Sequence, residues 1–438
     1  MACNGIASKG EQLIPSDGGT NPQQQPVLDG GQQTALPDQA KSSLAYNPAP
    51  AVSADTQSAV VKDLNNFGLE VLQSLAPNNQ NFAVSPVSGF IALTMTSDGA
   101  KGTTADQMKA VLYPDVSQND IQAATNLLEQ GVKGCALAST SGDAGPQIAL
   151  NLANDVFVQK GLNIQQPFLD NLITNYDTGL QLVDFITNAD GACTLINNWV
   201  ANETNNLIQN LIPPGTLDTY TRLVLVNALY LNASWLTTFD PNSTNSQIFH
   251  GSSGDASTDF MNSTLSLNYA TGTGWVAVDI PYYGGNLVMT AVLPDSGQFD
   301  TVKANLNAAW LTSFDTAEQS ELVSLTLPKF TLKGSTVSWK ATLQNLGMTN
   351  LFTRGQCDLS GITQDEPLYV SDVLQQVYVK VAEKGTVAAA ATAVTVTVDF
   401  VVSEPPPSIP IVFNRPFLFF VREHGGPILF AGQVVTLP

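Results

Sequence analysis

Side chains suited to covalent or metal chemistry are scarce in this chain: two histidines, His250 and His424, and four cysteines, Cys3, Cys135, Cys193 and Cys357. A serine nucleophile needs a histidine beside it as base and a third group that orients that histidine. His250 in "QIFHGSSG" and His424 in "VREHGGP" both lie in turn-like surroundings, and neither accompanies a Gly-x-Ser-x-Gly elbow. Both are read as solvent-exposed loop residues. The cysteines form no Cys-x-x-Cys pair, so zinc ligation fits poorly and disulfide pairing stays undetermined. "GAKGTT" lacks the Gly-x-x-x-x-Gly-Lys spacing that aims backbone amides at a phosphate, and it reads as a turn and helix start. The expectation is a protein that is not an enzyme and uses neither cofactor nor metal.

A different chemistry, that of a backbone able to join a sheet, is written in "EKGTVAAAATAVTVTVDF", residues 383–400. Four alanines precede a strict Val/Thr alternation, the period of a strand whose successive side chains face opposite sides. "SEPPPSIP" then follows, through which no strand continues. Taken alone, the stretch fits an ordinary half-buried strand or an aggregation-prone edge equally well.

The elements that must position it begin near residue 56. Val60, Leu64, Phe67 and Val71 sit at helical spacing, and "NFAVSPVSGFIALTMTS" reads as a short strand, a turn at Ser85-Pro86 and an apolar helix. An amphipathic helix started by Thr103 or Thr104 follows, with further helices over Phe168 to Tyr176, Cys193 to Leu211 and Val337 to Leu346. "RLVLVNALYLNASW" is a long apolar strand with Asn227 in its middle; strands are also expected at 275–281, 286–293, 322–332 and in "QQVYVKVA", with a closing hairpin of "PFLFFVRE" and "PILFAGQVV". No internal linker interrupts 56–438, so these residues read as one α+β domain.

Residues 1–55, rich in Gln, Pro, Gly and Ser, read as a disordered tail or tether. Cys3 ahead of a polar spacer resembles the start of a mature bacterial lipoprotein, which makes it a candidate lipid anchor. Hydrophobic residues are 43% and charged residues only 12%, so Asn, Gln, Ser and Thr must cover the surface, an uncommon surface for a cytoplasmic protein. An extracellular or cell-surface location is expected. Lys and Arg number 17 against 37 Asp and Glu, and the formal charge of −20 repels nucleic acid and anionic membranes.

The ordered motifs "NFAVSPVS", "GAKGTTADQM", "INNWVANETNNLI", "LVLVNALYLNASW", "LTLPKFTL", "LQNLGMTNLF", "VAEKGTVAAAATA" and "FNRPFLFFV" with "PILFAGQVV" resemble those of a serpin, from about residue 56 to the end. The resemblance implies a single α+β domain of three β-sheets and about eight or nine helices, with an exposed reactive-centre loop over about 383–411. It also implies inhibition of serine and in some cases cysteine endopeptidases, by a suicide-substrate trap in which the cleaved loop becomes a strand of the main sheet. The hinge would be Glu383, Gly385 and Thr386 with Ala388, Ala389, Ala390 and Ala391; Val387 is a mild departure. Counted from Thr386, the inward side chains of the inserted strand are the even-numbered residues to Val398.

Family spacing from Gly385 places the cleaved bond between Asp399 and Phe400, with Phe400 as runner-up acylating residue and Val398, Val401 or Val402 for an elastase-like target. The proline-rich stretch downstream is longer than the family's, so the register there is open. Ser85, Ser88 and Asn227 match polar residues beneath the sheet opening; Gln375 replaces their usual histidine partner, and Trp235 matches the aromatic where insertion begins. No basic helix face is present, so no glycosaminoglycan partner is expected, and the protein should act as a monomer. The alternative is a non-inhibitory serpin that serves as a carrier, storage or surface-binding protein.

Overall fold

The computed structural model describes residues 36–137, 148–386 and 407–438. In chain order these form β1 (Asp38–Ala40), α1 (Ala54–Leu75), β2 (Phe82–Val84), α2 (Pro86–Asp98), α3 (Gly102–Leu112), α4 (Ile121–Leu137), β3 (Ile148–Gln159), α5 (Gln166–Tyr176), β4 (Leu180–Val183), α6 (Phe185–Glu203) and β5 (Leu223–Ser234). There follow β6 (Asn245–Gly251), β7 (Gly254–Gly272), β8 (Trp275–Pro281), β9 (Leu287–Pro294), α7 (Phe299–Ala304), α8 (Ala308–Ala317), β10 (Gln319–Pro328), β11 (Phe330–Lys333), β12 (Val337–Ser338) and α9 (Lys340–Leu346). The last elements are β13 (Asp372–Ala382), β14 (Gly385–Thr386), β15 (Ile409–Val412), β16 (Phe417–Glu423) and β17 (Ile428–Val434).

Two hydrogen-bonded sheets organise these strands. The main sheet runs β1-β4-β3-β5-β14-β13-β11, with β12 also on β13; the second runs β15-β10-β7-β8-β9-β16-β17-β2, with β6 on β7. Where three sheets are expected, the second and third are joined into one ladder, because β7 pairs β6 and β10 along most of its length and β8 at its end. The α+β class stands, with nine α-helices among the described residues.

Between the sheets lies α2, buried over nearly its whole length and packed on β3, β5 and β17. Its sequence dictates this place: it is apolar all round, so no face of it prefers water. Ser85 caps it, with Pro86 at the first position where a missing N–H costs nothing. Ser85-Pro86, expected as a turn, is thus the helix start. Alternate residues of β5 face opposite sides, Leu225, Leu229 and Leu231 towards the α2 core and Val224, Val226 and Ala228 towards α6. Each buried side chain of this size stabilises the fold by about 1.5–3 kcal/mol.

Several expected boundaries move. The run 322–332 is two strands in different sheets, β10 and β11, because the chain passes from one sheet to the other at Lys329. Residues 185–192 belong to α6, started by Asp184, which accepts from Thr187 N; the helix ends at Glu203, where Asn205 and Asn206 take φ of 50° and 62°. Val337 and Ser338 pair with β13 instead of opening α9. Gly102 opens α3, and the Thr104 hydroxyl accepts from Asp358 N instead of capping. Residues 36–55, assigned above to the tail, include β1, which pairs antiparallel with β4, and the N-terminal cap of α1. The Tyr46 hydroxyl donates to Asn126 Oδ1.

Candidate functional site

The main sheet is parted at one end. β5 and β13 pair directly and in parallel from Val224 with Asp372 to Leu229 with Val377. Beyond that, β14 lies between them: Gly385 opposes Ser234 and Ala382, and Thr386 opposes Ala233 and Val381. The wedge depends on glycine at 385, where φ is +147° and a Cβ would stand 2.0 Å from the Ala233 carbonyl oxygen. Of the residues expected in the hinge, Gly385 and Thr386 form β14, and Glu383 lies just ahead of it. Ala388, Ala389, Ala390, Ala391, Asp399 and Phe400 lie outside the described residues, as do Val387 and Cys3.

Long-range contacts hold the wedge. Trp235 is buried, donates Nε1–H to the Ala382 carbonyl at 2.9 Å and its backbone N–H to the Lys384 carbonyl at 3.0 Å, and stacks on Tyr282 with ring centroids 4.5 Å apart. The Tyr282 hydroxyl bonds the Thr386 hydroxyl at 2.6 Å, and burial pushes the Tyr282 pKa up. Glu383 accepts from Lys329 Nζ at 3.0 Å and from the Thr244 hydroxyl at 3.1 Å. Burial works to raise the Glu383 pKa, but its backbone, Lys329 and Thr244 outweigh that and hold it below the ordinary value.

A second group lies under the closed part of the sheet. Asn154, Asn227 and Gln375 stand side by side on β3, β5 and β13. Gln375 and the Ser85 backbone exchange two hydrogen bonds: Ser85 N–H donates to Oε1 at 2.8 Å and Nε2–H donates to Ser85 O at 3.0 Å. An uncharged amide therefore ties β13 to the start of α2. The Ser88 hydroxyl donates to Asn154 Oδ1. Asn227 is fully buried with neither side-chain N nor O partnered, and Asn154 Nδ2 is likewise unpartnered. Such orphans are costly, about 1–3 kcal/mol for each group.

The structure therefore brings Ser85, Ser88, Asn227 and Gln375 together, and places Trp235 apart from them at the wedge with Glu383, Gly385 and Thr386. Sequence reasoning missed Asn154, Tyr282 and Lys329. Lys329 carried a signal in retrospect, since Pro328-Lys329 interrupts an otherwise alternating run.

The histidines stay away from this site. His250 is exposed, but on strand β6 instead of a loop, with Nδ1 2.9 Å from Asp255, because the hairpin turns only after Gly251. His424 follows β16, with Nε2 2.5 Å from Glu318 Oε1. Asp279, Asp315, Glu318 and His424 cluster closely enough to suggest a cation, but the cation there is the buried Arg422 guanidinium, 2.5 Å from Asp315 and 3.3 Å from Asp279.

The fold is α+β, with Gly385 and Thr386 seated between β5 and β13 of the main sheet, above a central helix and a buried polar row. The chain belongs to the serpin family: the model for "Serpin (serine protease inhibitor)" matches residues 62–437. Similar proteins include an uncharacterised serpin-like protein of Thermococcus kodakarensis, 32% identical over 92% of this chain and 92% of that one. Plasminogen activator inhibitor 1 of Sus scrofa is 31% identical over 88% of this chain and 94% of its own length. Among solved structures, the native state of the thermophilic serpin tengpin matches with a TM-score of 0.80 at 24% identity, over 92% of this chain and all of that one. Human thyroxine-binding globulin complexed with thyroxine matches with a TM-score of 0.75 at 26% identity, over 87% of this chain and 99% of that one.

Proposed function

We propose that this protein is a single-use inhibitor of serine endopeptidases, extending to cysteine endopeptidases, and not an enzyme. The observation that carries this reading is β14 seated between β5 and β13 at one end of a seam that is closed from Val224 to Leu229. The target's serine hydroxyl attacks the carbonyl carbon of Asp399; the peptide bond from that carbon to the Phe400 nitrogen breaks, and the serine proton ends on the new Phe400 amine. An ester joins protease to inhibitor. If the freed loop then continues from Thr386 down the seam, it draws the protease with it before water can hydrolyse the ester.

The hinge composition supports this reading, since after Val387 four alanines come where the strands must first separate, and valines follow where burial is rewarded. The reading extends to a monomer acting outside the cytoplasm or at a cell surface, with Cys3 as a lipid attachment point, supported by the sparsely charged, amide- and hydroxyl-rich composition. Among the described residues no helix is long and apolar enough to cross a membrane.

The test incubates the protein with a Glu/Asp-specific protease, chymotrypsin, subtilisin and elastase, followed by denaturing gels and intact mass. A covalent adduct with the acid-specific protease, and a released fragment beginning at Phe400, is the expected result. A fragment beginning at Val401 would move the acylating residue to Phe400. The second reading, a non-inhibitory carrier, draws on the likeness to thyroxine-binding globulin. Its signature is loop cleavage with no adduct for any protease and no gain in thermal stability.

A further inference from the structure

We propose that the Tyr282 hydroxyl is a latch that holds Thr386 in the parted sheet, keeping the first rung of the inserted strand formed before any protease arrives. Its consequence for inhibition rests on the reading above; the latch itself does not. A two-residue strand has little to hold it, because two rungs of backbone pairing barely offset the ordering of the chain that leads into it. The side chain of Thr386 adds an anchor: both hydroxyls of the 2.6 Å pair are buried, and withdrawing Thr386 would leave the Tyr282 hydroxyl unpartnered in an apolar site.

The anchor point is rigid. Tyr282 N–H donates to Leu287 O at 2.9 Å, its ring stacks on Trp235, and Trp235 is itself bonded to Ala382 and Lys384, the residues that lead into the wedge. Tyr282 directly follows β8 of the second sheet, so the latch ties the hinge of the main sheet to a framework that need not move when β5 and β13 separate. With Thr386 seated, Val387 and its successors start in register and need no search for the first rung. Removing the hydroxyl should release the first rung and slow initiation, so that more inhibitor is hydrolysed as substrate before the protease is trapped.

Tyr282→Phe keeps the stacked ring and removes only the hydroxyl; Thr386→Val keeps the β-branched shape and removes its partner. Amide hydrogen exchange over residues 382–386 of the intact protein should quicken about tenfold in either variant, and no further in the double variant, because both break one bond. Unchanged exchange in Tyr282→Phe overturns the latch, as does an additive double variant. Where an adduct-forming protease is available, the molecules of inhibitor consumed per protease should rise in both variants; an unchanged ratio with faster exchange overturns the head start. If no protease forms an adduct with the unmutated protein, the inhibitory reading fails, while the exchange result still decides the latch.

Discussion

An ion pair and a buried carboxyl show how burial and pairing set the energetics of individual side chains. Glu383 and Lys329 form an ion pair beside β14, the carboxylate largely buried and the ammonium about one third exposed. Solvent screening at Lys329 limits the pair to about 0.5–1 kcal/mol. Glu383→Gln and Lys329→Met should each lower stability by about that much in urea titrations, and the double variant by no more than the worse single one. Additive losses would mean that the two charges do not act on each other. Asp155 is the clearer titration site: burial pushes its pKa up to about 7, against which Gln181 and the Val156 N–H work. The folded chain thus holds this proton more tightly than the unfolded one. Its stabilising contribution is complete below the ordinary carboxylate range near pH 4 and is lost as the pH rises through about 7. Asp155→Asn should gain stability relative to the parent at pH 8 and not at pH 4, and should reduce the slope between them without abolishing it. Asp63 and Asp279, each pushed up to about 6 by burial, bend the curve the same way. A variant whose slope matches the parent's would rule Asp155 out.

Among the elements, β5 and the strand that would join it carry the sharpest prediction. Antiparallel pairing of Thr386 with Ala233 means that each step forward along the loop is one step back along β5, so Val387 would oppose Asn232 and Thr392 would oppose Asn227 and Gln375. Thr386 shares a row with Ala233, which faces the α2 core, so Thr392 would face that core too. Its hydroxyl would then arrive beside the Asn227 amide that has no partner in the closed sheet. Thr392→Val should reduce the stability gained on loop cleavage by about 1–3 kcal/mol, whereas Thr395→Val, on the other face, should leave it unchanged. Equal effects of the two variants would refute the register. How much of this was legible beforehand follows from the kind of interaction involved. Helix α2, strand β5 and the β16–β17 hairpin announce themselves by local apolar pattern, whereas the expectation at Gly385 and Thr386 comes from the family resemblance. Tyr282, Lys329 and Asn154 owe their roles to partners far along the chain, at Thr386, Glu383 and Ser88. Strand β1 escapes notice for the same reason, since its pairing with β4 is made by backbone that no side-chain period reports. The start of α6 was hidden by Asn188, whose φ of −148° kinks the helix and dilutes its apolar spacing.

At the scale of the whole molecule, the proposed function requires that the main sheet gain pairing once the loop is cut. β5 and β13 bond each other over one stretch only, and a strand entering between them would exchange that single ladder for two. Val394 and Val396, on the inward face, would each add about 1.5–3 kcal/mol of burial, against about 1–2 kcal/mol of ordering for each residue taken from the loop. For insertion to proceed, the paired amides and apolar side chains must outweigh that ordering. Cleavage alone, with no protease retained, should then make the protein harder to unfold. The cut should not release the C-terminal piece: β16 lies between β9 and β17, β17 reaches β2, and Phe417 to Val421 are fully buried. Limited proteolysis within residues 387–406 should therefore give two fragments that separate only in denaturant and co-elute at the intact size in native chromatography. Their common unfolding temperature should rise by ~10 °C or more, since each kcal/mol is worth a few degrees in a chain of ordinary size and less in one this long. Fragments that co-elute but melt where the intact protein melts would mean that the loop stays outside the sheet, and the wedge at Gly385 and Thr386 would then be a resting place for the hinge with no path below it.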